Sequence, residues 1–145
     1  MSVEGIGAGA LKMARKMVAT IFPRHSVSRQ DRDRLLTMIT LLALDDLRGS
    51  RVIQWKSQPP PHSVLQFRNG EVDIQRAEKS RYVIKEALSD REIEEIVDRV
   101  EAILDRYNMS EDERDTLYTA LPCLGLAKLQ AFFDWKQPPP FDELG

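Results

Sequence analysis

One cysteine, Cys123, and two histidines, His25 and His62, are present in 145 residues. A single cysteine excludes an intrachain disulfide and a thiolate cluster, and two distant histidines fall short of the usual four-ligand zinc set. The many carboxylates contain no D-x-[DN]-x-[DN]-G loop of the kind that holds calcium. Also missing are the G-x-S-x-G elbow that exposes a nucleophilic serine and the G-x-x-x-x-G-K-[ST] loop that cradles phosphates. Cys123 lies in an apolar stretch, where a thiol is inert packing. The sequence therefore names no catalytic, cofactor-binding or metal-ligating residue, and the expectation is a protein that is not an enzyme and needs no cofactor.

Long apolar runs are lacking too. The strongest, Leu35–Leu44, has eight apolar residues of ten, well under the roughly 20 needed to span a bilayer. The start has no short basic region followed by a continuous apolar stretch, as a secretory signal would have. Together with the lone cysteine, this sets the expectation of a cytoplasmic protein.

What is present suits one globular domain: 42% apolar and 30% charged residues, within the ordinary range. The charge is unevenly spread. Residues 1–56 hold ten Lys/Arg against five Asp/Glu, whereas residues 57–145 hold eleven against eighteen. Such halves can attract each other within one molecule or between two copies.

The organising stretch is Ser28–Gly49. Ser28 with Asp31 three residues on resembles a helix N-cap, and Gly49 suits the position just past the end. A helix apolar on nearly all sides has to be enclosed by other elements. Before it, residues 3–22 form an amphipathic helix closed by Pro23. Ile6, Ala10, Met13, Met17 and Ile21 share one face, with Lys12, Arg15 and Lys16 opposite. That helix can pack on the core or, through Lys12, Arg15 and Lys16, lie on an anionic membrane. Gly5-Ile6-Gly7-Ala8-Gly9-Ala10 matches the dinucleotide pattern G-x-G-x-x-A, but only four residues precede it, too few for the required strand.

After the central helix, Arg51–Trp55 reads as a short strand. Ser63–Arg68 and Glu71–Gln75 read as a hairpin whose exposed tip, Asn69-Gly70, has the chemistry of a type I′ turn. Residues 77–88 suggest another helix. Ser89 with Glu92 forms a capping-box signature, stapled by Leu88 and Ile93, that opens a helix through Tyr107. Ser110 with Glu113 opens the next, which Pro122 interrupts, and residues 123–135 read as a final apolar helix. Trp55-Lys56-Ser57-Gln58-Pro59-Pro60-Pro61 and Trp135-Lys136-Gln137-Pro138-Pro139-Pro140 differ by one serine. Each proline run either stops its element stiffly or offers a polyproline segment to an aromatic groove.

The expected architecture is mainly α: five or six helices around the buried helix at 28–48, enclosed by 89–107 and 123–135, with one inserted hairpin. It divides into an N-terminal helix (1–23), a helical core (24–135, with the hairpin at about 51–75) and a proline-rich tail (136–145). The expected function is that of an adaptor, regulator or assembly subunit binding another protein or a second copy of itself. Its candidate contact residues are Asn69, Gly70, Trp135, Pro138, Pro139, Pro140 and Phe141. A nucleic-acid-binding alternative rests on a basic patch of Arg24, Arg29, Arg32, Arg34, Arg48 and Arg51, although Asp31 and Asp33 interleave with it. Asp45 and Asp46, disfavoured at a helix C-terminus, either pair with arginines or serve a site.

Overall fold

A computed structural model describes residues 4–56, 63–76, 84, 87–141 and 144. Ser28 opens the longest helix, its hydroxyl accepting from the Asp31 amide at 3.1 Å. The Asp31 carboxylate does not reach back to the Ser28 amide, as a capping box would require. Tyr107 does that work: its hydroxyl accepts from Ser28 N at 3.2 Å and donates to Asp31 Oδ2 at 2.5 Å.

In chain order the elements are α1 (Ala8–Arg24), α2 (Arg29–Gly49), β1 (Ile53–Trp55), β2 (Ser63–Arg68) and β3 (Glu71–Arg76). They continue with α3 (Asp90–Arg106), α4 (Glu111–Leu129) and β4 (Phe133–Trp135). Helix α1 packs on α4, α4 on α2, and α2 on α3, with β2 also against α2. The reason the middle of α2 is apolar on more than one side is that it serves two clusters. Leu35, Met38 and Ile39 join Ile21, Phe22, Ile96, Val100, Leu104 and Leu117. Leu41, Leu44 and Leu47 join Ala14, Leu65, Phe67, Cys123, Leu126 and Phe133.

Among the described residues there are four helices, not five or six. Most of the expected helix at 77–88 lies outside the described residues, and Ile84, Ala87 and Leu88 are not helical. The expected break at Pro122 does not occur, because α4 runs through it. Proline inside a helix costs about 3 kcal/mol; here Leu117 and Leu121 on one side and Cys123 and Leu126 on the other are locked into the two clusters. Nor is 123–135 helical to its end. Phe133-Asp134-Trp135 alternates buried, exposed, buried, and pairs antiparallel with β1 in the register Ile53↔Trp135, Gln54↔Asp134, Trp55↔Phe133. The two halves of the Trp-Lys repeat are thus brought together. Lys56 N donates to Phe132 O, and Lys136 N to Val52 O. Trp55, Phe133 and Trp135 stack edge to face, with centroids 6.2 and 5.1 Å apart.

The first three helices end alike. Ser26, Arg51 and Asn108 adopt left-handed backbone (φ 51°, 59° and 53°). The residue after each, Val27, Val52 or Met109, donates its amide back to Phe22, Leu47 or Leu104 respectively. This is the Schellman arrangement, with an apolar residue following the stop. Gly49, expected beyond the helix end, remains within α2, and Arg51 takes the left-handed position because Val52 must reach Leu47.

Both expected capping boxes are complete, Ser89/Glu92 on α3 and Ser110/Glu113 on α4. Glu113 also joins α1 to α4, lying 2.8 Å from His25 Nε2 and 3.0 Å from Arg24 Nη1. The Ser110 amide and His25, with Arg24, hold its carboxyl down at about 2 against the opposing pull of burial. A carboxyl lower in the folded than in the unfolded chain stabilises fully above its ordinary value of 4.5. That contribution is lost as pH falls through about 2. Glu113→Gln should therefore lower the melting temperature near neutral pH and flatten its decline in acid. Melts from pH 6 to about 2 test this linkage, and an acid limb as steep as the parent's would remove Glu113 from the account.

The N-terminal helix and the tail belong to the same packed body as the rest. Ala14, Ile21 and Phe22 of α1 are buried, and Phe141 and Leu144 join Ala14 in one cluster. Met13, expected on the packed face, is 40% exposed, because the face is centred on Ala14.

Candidate functional site

Two side chains one turn apart on α2 position the hairpin. Asp33 accepts from the Asn69 and Gly70 amides at 2.8 and 3.0 Å, and Thr37 Oγ1 accepts from Phe67 N at 2.9 Å. The turn itself is as expected, with both residues at positive φ (53° and 77°). In such a two-residue hairpin Arg68 and Glu71 face each other as the hydrogen-bonded pair, so the Phe67 amide points away from β3. It meets Thr37 instead. Leu65 and Phe67 turn inward with Ile74 and Val72 opposite.

With β2 held on one flank of α2 and α3 packed on the other, a groove of about 610 Å³ runs between them. Its floor is Met38, Phe67 and Ile103, and its rim carries Arg34, Arg68 and Arg99. Asp33 is the one carboxylate lining it among the described residues, and both of its oxygens are committed to the turn amides. Arg34 is held at one end by Asp31, 3.3 Å away, and Arg68 by Gln66 at 3.1 Å. The groove is apolar below and cationic above, a combination that takes a ligand with apolar side chains and negative charge.

Asp31, behind the groove, is 5% exposed and gathers Tyr107, Ser28, Arg106 and Arg34. Burial pushes its carboxyl upward. The hydrogen bonds from Tyr107 and Ser28 and the Arg106 charge outweigh that and keep it below its ordinary value.

The expected contact residues disperse. Asn69 is exposed at the tip and Gly70 half-buried, with Arg29 Nη1 3.3 Å from Asn69 Oδ1. Trp135 is buried and donates from Nε1 to Gln130 Oε1 at 2.9 Å, so it is a core residue and not a free anchor. Pro138 and Pro140 are exposed and Pro139 half-buried, but Phe141 is buried in the cluster: the tail occupies its own core. The basic patch divides as well. Arg24 pairs with Glu113, while Arg32 lies over the Phe22 ring and donates to Val27 O. Arg48 and Arg51 sit at the far end of α2, about 20 Å from Arg34 at 1.5 Å per residue. Lys12, Arg15 and Lys16 are all exposed on α1. Asp45 has a structural task, accepting from Leu88 N at 2.6 Å where the chain enters α3, and Asp46 is exposed.

Arg68 and Arg99 were not legible as site residues, since nothing local says that β2 and α3 flank the same helix. The one sequence signal was the spacing Gln30, Asp33, Arg34, Thr37, which places polar groups along one stripe of an otherwise apolar helix. Among the described residues no three of His, Cys, Asp and Glu could hold a metal ion together, and no helix is long and apolar enough to cross a membrane. The Cys123 thiol is fully buried, and burial raises its pKa to about 11 despite the nearby Arg15 charge. Compared with protein-family models, curated proteins and solved structures, the chain matches none.

Proposed function

We propose that the protein is a non-catalytic adaptor or assembly subunit, and that the groove between α2, β2 and α3 receives an acidic segment of its protein partner. The observation that carries this reading is the rim of Arg34, Arg68 and Arg99 above Met38, Phe67 and Ile103, with the lining carboxylate already committed. Apolar side chains of the segment would cover the floor, and carboxylates would meet the guanidinium groups. Rim charges of this kind set specificity and the rate of encounter. An exposed groove with few polar demands on its floor also suits a partner that brings its own backbone order.

The test uses the full chain as bait in its native extract, with and without nuclease, beside the variant Arg34→Glu/Arg68→Glu. Binding is then measured with a labelled peptide of alternating Glu and Leu. Both substituted side chains are exposed, and Glu at 34 would stand one turn from the buried Asp31, so the variant should stay folded but melt somewhat below the parent. It should bind the peptide at least about tenfold more weakly and lose the captured protein. Equal binding by parent and variant would put the partner elsewhere. Capture abolished by nuclease would favour nucleic acid on the arginines in place of an acidic protein.

A further inference from the structure

Helix α1 has one feature that neither the groove nor the core uses. Of the four helices described, it is the one with charge of a single sign: Lys12, Arg15, Lys16 and Arg24, and no carboxylate. Arg24 is engaged by Glu113, but no ion pair among the described residues takes up Lys12, Arg15 or Lys16. Gly9, Lys12, Met13, Lys16 and Thr20 recur at helical spacing and are all exposed, with Arg15 at the flank. Met13 is one of two large apolar side chains that stand exposed among the described residues. It shares the exposed face with Lys16, three residues on.

We infer that this outward face of α1 is a docking surface for an anionic lipid bilayer. The apolar face of the helix cannot insert, because Ala14, Ile21 and Phe22 are spent on the core. The opposite face is what meets the headgroups. Gly9 and Thr20 along it are small, so the cations can approach a flat surface closely. Its exposed residues offer no side-chain amide or free hydroxyl with which to read bases or fix a peptide; Thr20 Oγ1 donates to Lys16 O at 2.9 Å. Met13 gains nothing on a sugar–phosphate chain, whereas in a bilayer it reaches the boundary between headgroups and acyl chains. The fold also orients the molecule. Helix α3, with seven carboxylates and three arginines, lies beyond α4 and α2 from α1, so the repelled side faces away.

The experiment is co-sedimentation of the full chain with vesicles of phosphatidylcholine containing phosphatidylserine, beside vesicles of phosphatidylcholine alone, at low salt. The protein should pellet with the first and remain in solution with the second. Each cation near such a surface contributes a factor of about five to partitioning, so Lys12→Glu/Arg15→Glu/Lys16→Glu should lower it by at least ~100-fold. Met13→Ser, with every charge kept, should lower it severalfold. Equal partitioning on both vesicles overturns the inference, as does retained binding by the triple variant. So does a duplex DNA oligomer that binds this face more tightly than the vesicles and insensitively to Met13→Ser. Should the triple variant fail to fold, salt decides on the parent protein: partitioning must fall steeply as salt rises, and a flat response overturns the assignment.

Discussion

Gly125→Ala should lower stability by about 2 kcal/mol, and Thr40→Ala in the same chain should recover part of it, since the residue 40 Cβ at 2.9 Å remains. A methyl group on Gly125 would stand 1.9 Å from Thr40 Oγ1 and 2.9 Å from both Thr40 Cβ and Cγ2. Threonine is branched at Cβ and stiff about χ1, so it cannot swing aside as a lysine tip would. Overpacking of this sort costs about 1–3 kcal/mol, sometimes more, and the ~1 kcal/mol that alanine gains over glycine in a helix offsets part of it. The same site explains the expected rescue. Thr40 is fully buried and its hydroxyl has no hydrogen-bond partner among the described residues. Thr40→Ala alone removes that orphaned group while opening a small void, two effects of opposite sign, and should be nearly neutral. Denaturant melts of the two single variants and the double variant measure the coupling. If Gly125→Ala costs the same in both backgrounds, the contact between α2 and α4 is not where the penalty arises.

Asp31→Ala should be the most damaging change to a polar side chain, at about 2–3 kcal/mol. The carboxylate is the acceptor for Tyr107 and sits in the first turn of α2, where negative charge is favoured by the helix dipole. Arg34 and Arg106 are more than half exposed, so their share is small. The main loss is the half-buried Tyr107 hydroxyl left without its charged acceptor. Because the folded carboxyl lies below its unfolded value, its stabilisation is complete above that value and fades as pH falls through the folded one. The variant should be closest to the parent in strong acid and furthest from it at neutral pH. A difference that does not shrink on acidification would mean that the side chain acts through packing alone.

Elements built from local chemistry were legible. Ser28, Ser89 and Ser110 open helices as their neighbours foretell, and Asn69-Gly70 turns the hairpin. What failed was local evidence outvoted by distant contacts. Leu129 to Trp135 has apolar residues enough for a helix, yet Phe133 and Trp135 leave it because Ile53 and Trp55 offer a paired edge. The clue was in the repeated Trp-Lys wording, which marked two strands more surely than two proline stops. Pro122 reads as a break because its cost is local, whereas the packing that outweighs it is spread over both clusters. The groove was hidden for a related reason: Arg34, Arg68 and Arg99 come from three elements, and only the bonds from Asp33 and Thr37 to the hairpin backbone set them around one space.

The two apolar clusters bear on cooperativity. Helix α2 sends Leu35 and Ile39 into one and Leu41 and Leu44 into the other, and α4 likewise divides Leu117 from Leu126. No plane separates the clusters without cutting both helices in mid-course. Exposing either cluster would strip the buried side from the central turns of the same two helices, which are not stable in water without it. Among the described residues neither cluster can therefore melt by itself, and the marginal free energy is held in common between the end near α3 and the end near β4.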